Sequence, residues 1–243
     1  MRFRAFRDTI CGKLMQRKGV PMRHEIKSRL LPAEAAALRV RLRAVMQRDP
    51  YARPDGTYDI HSVYLDTPTR TALAEKQVGM PVRHKYRIRY YNDNRFFFRL
   101  ERKSKVGSLC DKAGCTLTRP EIDRLMAGDI LWMADCDRAL ARELYLKMRT
   151  ELVQPSVQVH YNREAYVYGP GNVRVTLDSD IRTGLWDTDF LSCDQPRPRT
   201  QGDDFVLLEV KFDNYLPEII RDITCCRCRP MSFSKFEACH SYD

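Results

Sequence analysis

From residue 23 onward, polar and apolar side chains alternate with a period of two in one segment after another, the pattern of half-buried β-strands. "RHEIKSRL" (23–30), "YDIHSVYLDTP" (58–68), "RHKYRIRYY" (83–91), "NRFFFRLERKSK" (94–105), "SVQVHYNREAYVY" (156–168), "VRVTLDSD" (173–180) and "DFVLLEVKF" (204–212) all read this way. Turn residues separate several of them, "YNDN" between the third and fourth and "GPGN" before the sixth, so an antiparallel meander is expected. Helical spacing takes over in between. Pro32 opens a helix through "PAEAAALRVRLRAVM" as a first-turn residue. Thr118 and Glu121 have capping-box spacing ahead of "RPEIDRLMAG", which Gly128 stops. A longer helix is expected in "DCDRALARELYLKMRTEL" and short ones in "PEIIRDITCC" and "SFSKFEACHSY", while "DQPRPRTQGDD" (194–204) reads as a solvated loop.

The polar faces of the strands are charged in a repeated manner. Arg83, Lys85, Arg87 and Arg89 fall on one face, with His84, Tyr86, Ile88 and Tyr90 on the other. Arg23, Glu25 and Lys27 alternate with His24 and Ile26, and Arg99, Glu101 and Lys103 with Phe98 and Leu100. Glu209 and Lys211 alternate with Leu208 and Val210, and Arg174 and Asp178 oppose Val173, Val175 and Leu177. For one strand alone, an ordinary sheet with its charged side in water explains this. For the set, the helices need apolar faces to pack on, and if they take those faces the charged ones turn inward around a closed barrel. Such an interior needs water and a compensating anion, because unpaired buried cations are strongly disfavoured. The expected fold class is therefore α+β, a tunnel-shaped antiparallel barrel with flanking helices that accepts an extended polyanion.

Composition agrees. A formal net charge of +10 calls for a polyanionic partner. Nucleic acid fits less well, since no helix offers a base-reading basic face and Tyr86, Tyr90, Phe96 and Phe98 lie opposite the cations, where a stacking platform needs both together. No apolar run is long enough to span a bilayer and no signal-like segment opens the chain, so a cytoplasmic location is expected. The nine cysteines are odd in number and read as reduced thiols; Cys110 and Cys115, and Cys225, Cys226 and Cys228, lack the paired spacing of a zinc site. Without repeat or linker, the chain reads as one domain after a basic extension over residues 1–21.

The motifs "RHEIK", "SVYLDTP", "KYRIRYY", "RLERKSK", "YNREAY", "VRVTLDSDIR", "LLEVKF" and "SFSKF", in this order, resemble the polyphosphate polymerase domain of the vacuolar transporter chaperone (VTC) group, among the CYTH-related triphosphate tunnel metalloenzymes. The resemblance spans residues 22–243 and implies an eight-stranded antiparallel β-tunnel. It implies transfer of the γ-phosphoryl group of ATP to inorganic polyphosphate with Mn2+ or Mg2+. Lys27, Arg87, Arg89, Lys103, Arg163 and Arg174 match its basic lining, Glu209 its metal-binding glutamate, and Lys235 a lysine near the tunnel mouth. Lys85, Lys211, Glu25 and Glu101 share the inward faces, the two glutamates as further metal candidates. No histidine is expected in a catalytic role. The wider tunnel superfamily often starts with Glu-x-Glu-x-Lys, and here the spacing gives Arg23-x-Glu25-x-Lys27, which weakens a second metal site. Two alternatives stay open: a metal-dependent tri- or polyphosphate hydrolase, and a non-catalytic module that binds polyphosphate or a phosphorylated ligand. The sequence also leaves open a membrane-protein partner and the oligomeric state.

Overall fold

In a computed structural model of the chain, the described residues are 23–107, 109–185, 187–192, 197–200, 205–224 and 231–241; the expected extension over 1–21 and the cysteines at 225, 226 and 228 lie outside them. Strands β1 (His24–Leu30), β3 (Thr57–Asp66), β4 (Val82–Tyr91), β5 (Phe97–Val106), β7 (Gln154–Tyr168), β8 (Val173–Thr183) and β9 (Val206–Phe212) stand where the alternation placed them. Two were not anticipated: the two-residue β2 (Gln47–Arg48) and β6 (Leu109–Thr118). The sheet runs β1-β9-β8-β7-β3-β4-β5-β6, antiparallel throughout, with β2 paired to β7.

The result is the α+β, tunnel-like antiparallel fold expected, with one correction. Among the described residues no ladder joins β6 to β1, so hydrogen bonding does not close the barrel. Across that gap, Lys103 Nζ of β5, the strand beside the β6 edge, lies 3.9 Å from Glu25 Oε2 of β1.

Helices cover the outer faces, as the pattern requires. Helix α1 (Pro32–Val45) starts with Glu34 accepting a 2.8 Å hydrogen bond from Leu31 N and buries Ala35, Leu38 and Leu42, one stripe at helical spacing. That stripe packs with α5 (Glu218–Thr224) on Val175, Leu208 and Val210, the outer faces of β8 and β9. Helix α3 (Arg119–Met126) begins at the expected capping box, Thr118 N and Oγ1 donating to Glu121 Oε2 at 2.8 and 3.0 Å. With α4 (Ala139–Thr150) it covers Tyr86, Ile88, Tyr90, Phe98 and Leu100. Phe96 does not join them; it precedes β5 and is 84% exposed.

A third apolar cluster lies on the inner face. Ile60, Val157, Val159, Tyr161 and Ile181 meet Phe236 and Cys239 of the C-terminal helix α6 (Lys235–His240), and Leu73 of the short, unanticipated α2 (Thr71–Gln77) joins them. The interior is thus charged over only part of its surface, and α6 plugs the apolar remainder. The described part of the expected solvated loop, 197–200, is also not free: Arg199 bridges to Arg182 and Thr200 is buried, donating to Ile181 O at 3.0 Å.

Candidate functional site

Register fixes which side chains share the interior. Arg87 stands opposite Tyr64 and Glu101, Arg89 opposite Ser62 and Arg99, and Lys85 opposite Lys103. On the other wall Lys27 pairs with Glu209, Glu25 with Lys211, Arg174 with Lys211 and Arg163 with Asp178. Antiparallel pairing puts directly opposed residues on the same face of the sheet, so one set of alternating residues builds the whole lining.

The cations arrive oriented. Arg87 Nε donates to Glu101 Oε2 at 2.7 Å and its Nη1 to Tyr64 Oη at 3.0 Å. Arg89 Nε lies 3.2 Å from the same carboxylate oxygen, yet it is buried without a satisfied hydrogen bond. Arg163 grips Asp178 with two bonds, 2.6 and 2.7 Å, and Lys235 Nζ reaches the second oxygen at 2.5 Å. Asp178 is fully buried; burial pushes its carboxyl up, but Arg163 and then Lys235 outweigh that and hold it below its ordinary value. Lys235 was expected near a tunnel mouth, and it sits instead at the root of the plug with its side chain 11% exposed.

Arg174 Nη1 contacts Asp49 Oδ2 at 2.6 Å, and Nη2 contacts Tyr58 Oη at 3.2 Å. Lys27 Nζ is 2.9 Å from Glu25 Oε1 and donates to Phe233 O at 3.1 Å. Lys211 is paired with Glu209. Lys85 has a different environment: its Nζ sits 4.4 Å above the Phe236 ring. Burial, then Lys76, Arg83, Lys103 and Lys27, bring it down to about 7.

The three glutamates considered for metal do not gather. Glu101 is committed to Arg87 and Arg89, and among the described residues no group of three or more His, Cys, Asp or Glu side chains is arranged for a metal. Burial pushes Glu25 and Glu209 up, and Glu25 adds to this at Glu209, but lysines led by Lys27 and Lys211 respectively keep both well below the ordinary carboxylate range. Beside Glu209 in the ladder, the buried Thr176 hydroxyl has no hydrogen-bond partner. Two ionised carboxylates and a spare hydroxyl are a hard-oxygen donor set, and Mg2+ is commonly held by one or two carboxylates with substrate phosphates supplying further ligands. The residues therefore fit such an ion without a protein-only cage.

Alternation alone did not find three participants. Lys112 lies opposite Lys103 on β6, near enough to Lys103 and Arg87 that burial and those charges lower its pKa. Gly114, two residues on, leaves room for Arg99: a Cβ there would lie 3.2 Å from the Arg99 Nη2. The third is Asp49, the partner of Arg174. The period-two run Lys112, Gly114, Thr116 was the available signal for β6, obscured by its glycine and small side chains.

The histidines stand elsewhere. His61 Nδ1 and His160 Nδ1 are 2.8 Å apart on the outer side, His160 continuing to Gln158 Oε1 at 2.7 Å, and His61 stacks on Tyr90. Burial lowers His61 to about 4 and His160 to about 2, so both are neutral near pH 7. His84 contacts Ser104 Oγ at 2.9 Å, His24 stacks on Phe212, and His240 lies against Phe236 in α6.

Among solved structures, the PH1819 protein from Pyrococcus horikoshii OT3 is similar at 12% identity, covering 91% of this chain and 99% of its own, with a TM-score of 0.49. A provisionally assigned adenylate cyclase from Bacillus halodurans is 13% identical, covering 78% and 81%, with a TM-score of 0.42. No curated protein matches. The family model described as the VTC domain matches residues 22–242, every described element from β1 to α6 and every lining residue named above, and the chain therefore belongs to the VTC domain family.

Proposed function

We propose that the chain is a polyphosphate polymerase that moves the γ-phosphoryl group of ATP onto the terminal oxygen of an inorganic polyphosphate chain. The observation carrying this reading is the lining itself: Lys27, Lys85, Arg87, Arg89, Lys103, Lys112, Arg163, Arg174, Lys211 and Lys235 converge on one interior, most of them pre-aimed by a carboxylate or a tyrosine. In the transfer, a bond forms between the acceptor oxygen and Pγ, the bond from Pγ to the β–γ bridging oxygen breaks, and ADP leaves. The acceptor is already an anion, so no strong general base is needed, in keeping with the outward and neutral His61 and His160.

Phosphoryl transfer through a loose transition state asks mainly for alignment and charge neutralisation. Arg87 and Arg89 are placed to take phosphate oxygens in exchange for the Glu101 carboxylate, and Arg163 and Lys235 to share theirs with Asp178. Guanidinium groups can hold such oxygens in pairs, while lysines act as point charges. A divalent ion, Mn2+ or Mg2+, would be held by Glu209 and Glu25 with phosphate oxygens and would neutralise charge on the transferred group. The plug α6 shields Asp178, Lys235 and Phe236 from water at its end of the interior.

The test is to incubate the protein with ATP and Mn2+, resolve products on a gel and assay free phosphate in the same tube. Long phosphatase-sensitive chains with ADP are expected. Free phosphate without chains would replace the polymerase with a hydrolase, and neither product despite triphosphate binding would leave a binding module.

A further inference from the structure

Toward the start of β3 and the turn after β4, beyond Arg163 and Arg174, the lining changes character. A cavity of about 380 Å³ opens there, bounded by those two arginines, Ile60, Asp49, Asn92 and the rings of Tyr51, Tyr58 and Tyr91. Its volume falls in the range of small-molecule sites, roughly 300–1,000 Å³. An inorganic phosphate chain has no use for three aromatic rings, whereas a nucleobase has one for each.

The walls are fixed and joined to the basic lining. Tyr58 Oη is 3.2 Å from Arg174 Nη2, and Tyr91 Oη accepts from Arg89 Nη1 at 3.1 Å, so the rings bordering the cavity also position guanidinium groups that serve phosphate. The two rings meet edge to face with centroids 6.3 Å apart. Asp49, the carboxylate of the cavity wall, is balanced by Arg174 and also accepts from Tyr51 N at 3.0 Å, which anchors the backbone at the rim where the Tyr51 ring is 86% exposed. Asn92 turns the chain at a φ of 53° and spends its side-chain oxygen on Asp59 N at 3.0 Å, so its remaining hydrogen-bonding capacity is the donor end of the amide.

We propose that this cavity is the nucleoside end of the site, where a nucleoside triphosphate lays its base and ribose against Tyr51, Tyr58 and Tyr91 while its phosphates pass Arg174 and Arg163 into the basic interior. The assignment rests on the proposed function and adds its donor subsite. Stacking on tyrosine tolerates any base, and among the described residues Asn92 is the sole neutral side-chain amide bordering the cavity, so discrimination among bases is weak.

The experiment compares equilibrium binding of ATP and of inorganic tripolyphosphate to the full chain and to its Tyr51→Ala variant, with Tyr51→Phe, which keeps the ring, as the control. Tyr51 is on the surface, so both variants keep the fold. In Tyr51→Ala, ATP binding is expected to weaken about ten-fold, the order produced by losing a base–aromatic stack, with tripolyphosphate binding within about two-fold of the parent, while Tyr51→Phe binds both ligands as the parent does. Unchanged ATP affinity, or equal loss of both ligands, would overturn the nucleoside subsite while leaving the phosphate tunnel standing. Failure of the unmodified chain to bind either ligand would overturn the proposed function and this subsite together.

Discussion

Asp178 shows how much a single residue of this interior has to do. It is fully buried, and Arg163 and Lys235 depend on it. Removing one member of a buried ionic group strands the others, at a cost of about 3–5 kcal/mol. Asp178→Asn is accordingly expected to lower unfolding free energy by about 3 kcal/mol in a denaturant titration. Its depressed pKa gives a sign: the stabilisation is present above the ordinary carboxylate value and is lost as pH falls through the folded one, so the penalty of the substitution shrinks in strong acid. Lys85 has the opposite character, poised near neutrality at about 7. An anion beside it favours the charged form, so tripolyphosphate affinity should strengthen as pH falls from about 8.5 to about 6. Lys85→Arg, charged throughout, should bind as well at the upper pH as at the lower; a slope identical to the parent's would remove Lys85 from the contact. The sequence displayed Lys85, Arg87 and Arg89 because alternation is local. It could not show that Arg163, Lys235 and Asp178 form one group, since those residues come together only when β7, β8 and α6 do.

At the scale of the element, the strands were legible wherever β-branched and aromatic residues alternated with charges, and β6 was not, because "LCDKAGCTLT" pairs its inward Lys112 and Thr116 with a glycine. Helix α6 was expected, but its place was not. A six-residue helix carries too little periodicity to say which apolar surface it will cover. It covers the inner face, with Phe236 against Tyr64 at 5.0 Å between ring centroids and beneath the Lys85 ammonium, while Glu237 is paired with Lys76. Phe236→Ala should cost about 3–5 kcal/mol through the cavity it leaves. It should also free Lys85 from its ring, which a chemical-modification rate for that lysine would report; an unchanged midpoint of unfolding would show that α6 does not seal the interior. Phe236→Leu, which keeps much of the volume without the ring, separates the two effects.

For the whole molecule, the question is what holds together an interior where cations outnumber their carboxylate partners and where, among the described residues, no ladder joins the edge strands and a 3.9 Å contact between Lys103 of β5 and Glu25 of β1 spans the gap. A bound polyanion supplies the missing charge to both walls at once, so it should stabilise the fold as a unit and not merely dock on it. At a concentration about 100 times its Kd, such a ligand adds about 2.7 kcal/mol. For a domain of this size that corresponds to a rise in Tm of roughly 5–10 °C with inorganic tripolyphosphate. The gain should be smaller in high salt, where screening acts on the partly exposed members of the lining. Arg87→Ala/Arg89→Ala, combined with Glu101→Gln so that no carboxylate is left without its partners, should fold and lose most of the rise. The same rise in parent and triple variant would mean that the anion is held elsewhere on a surface of net charge +10, and the convergence of the strands' charged faces would then need another explanation.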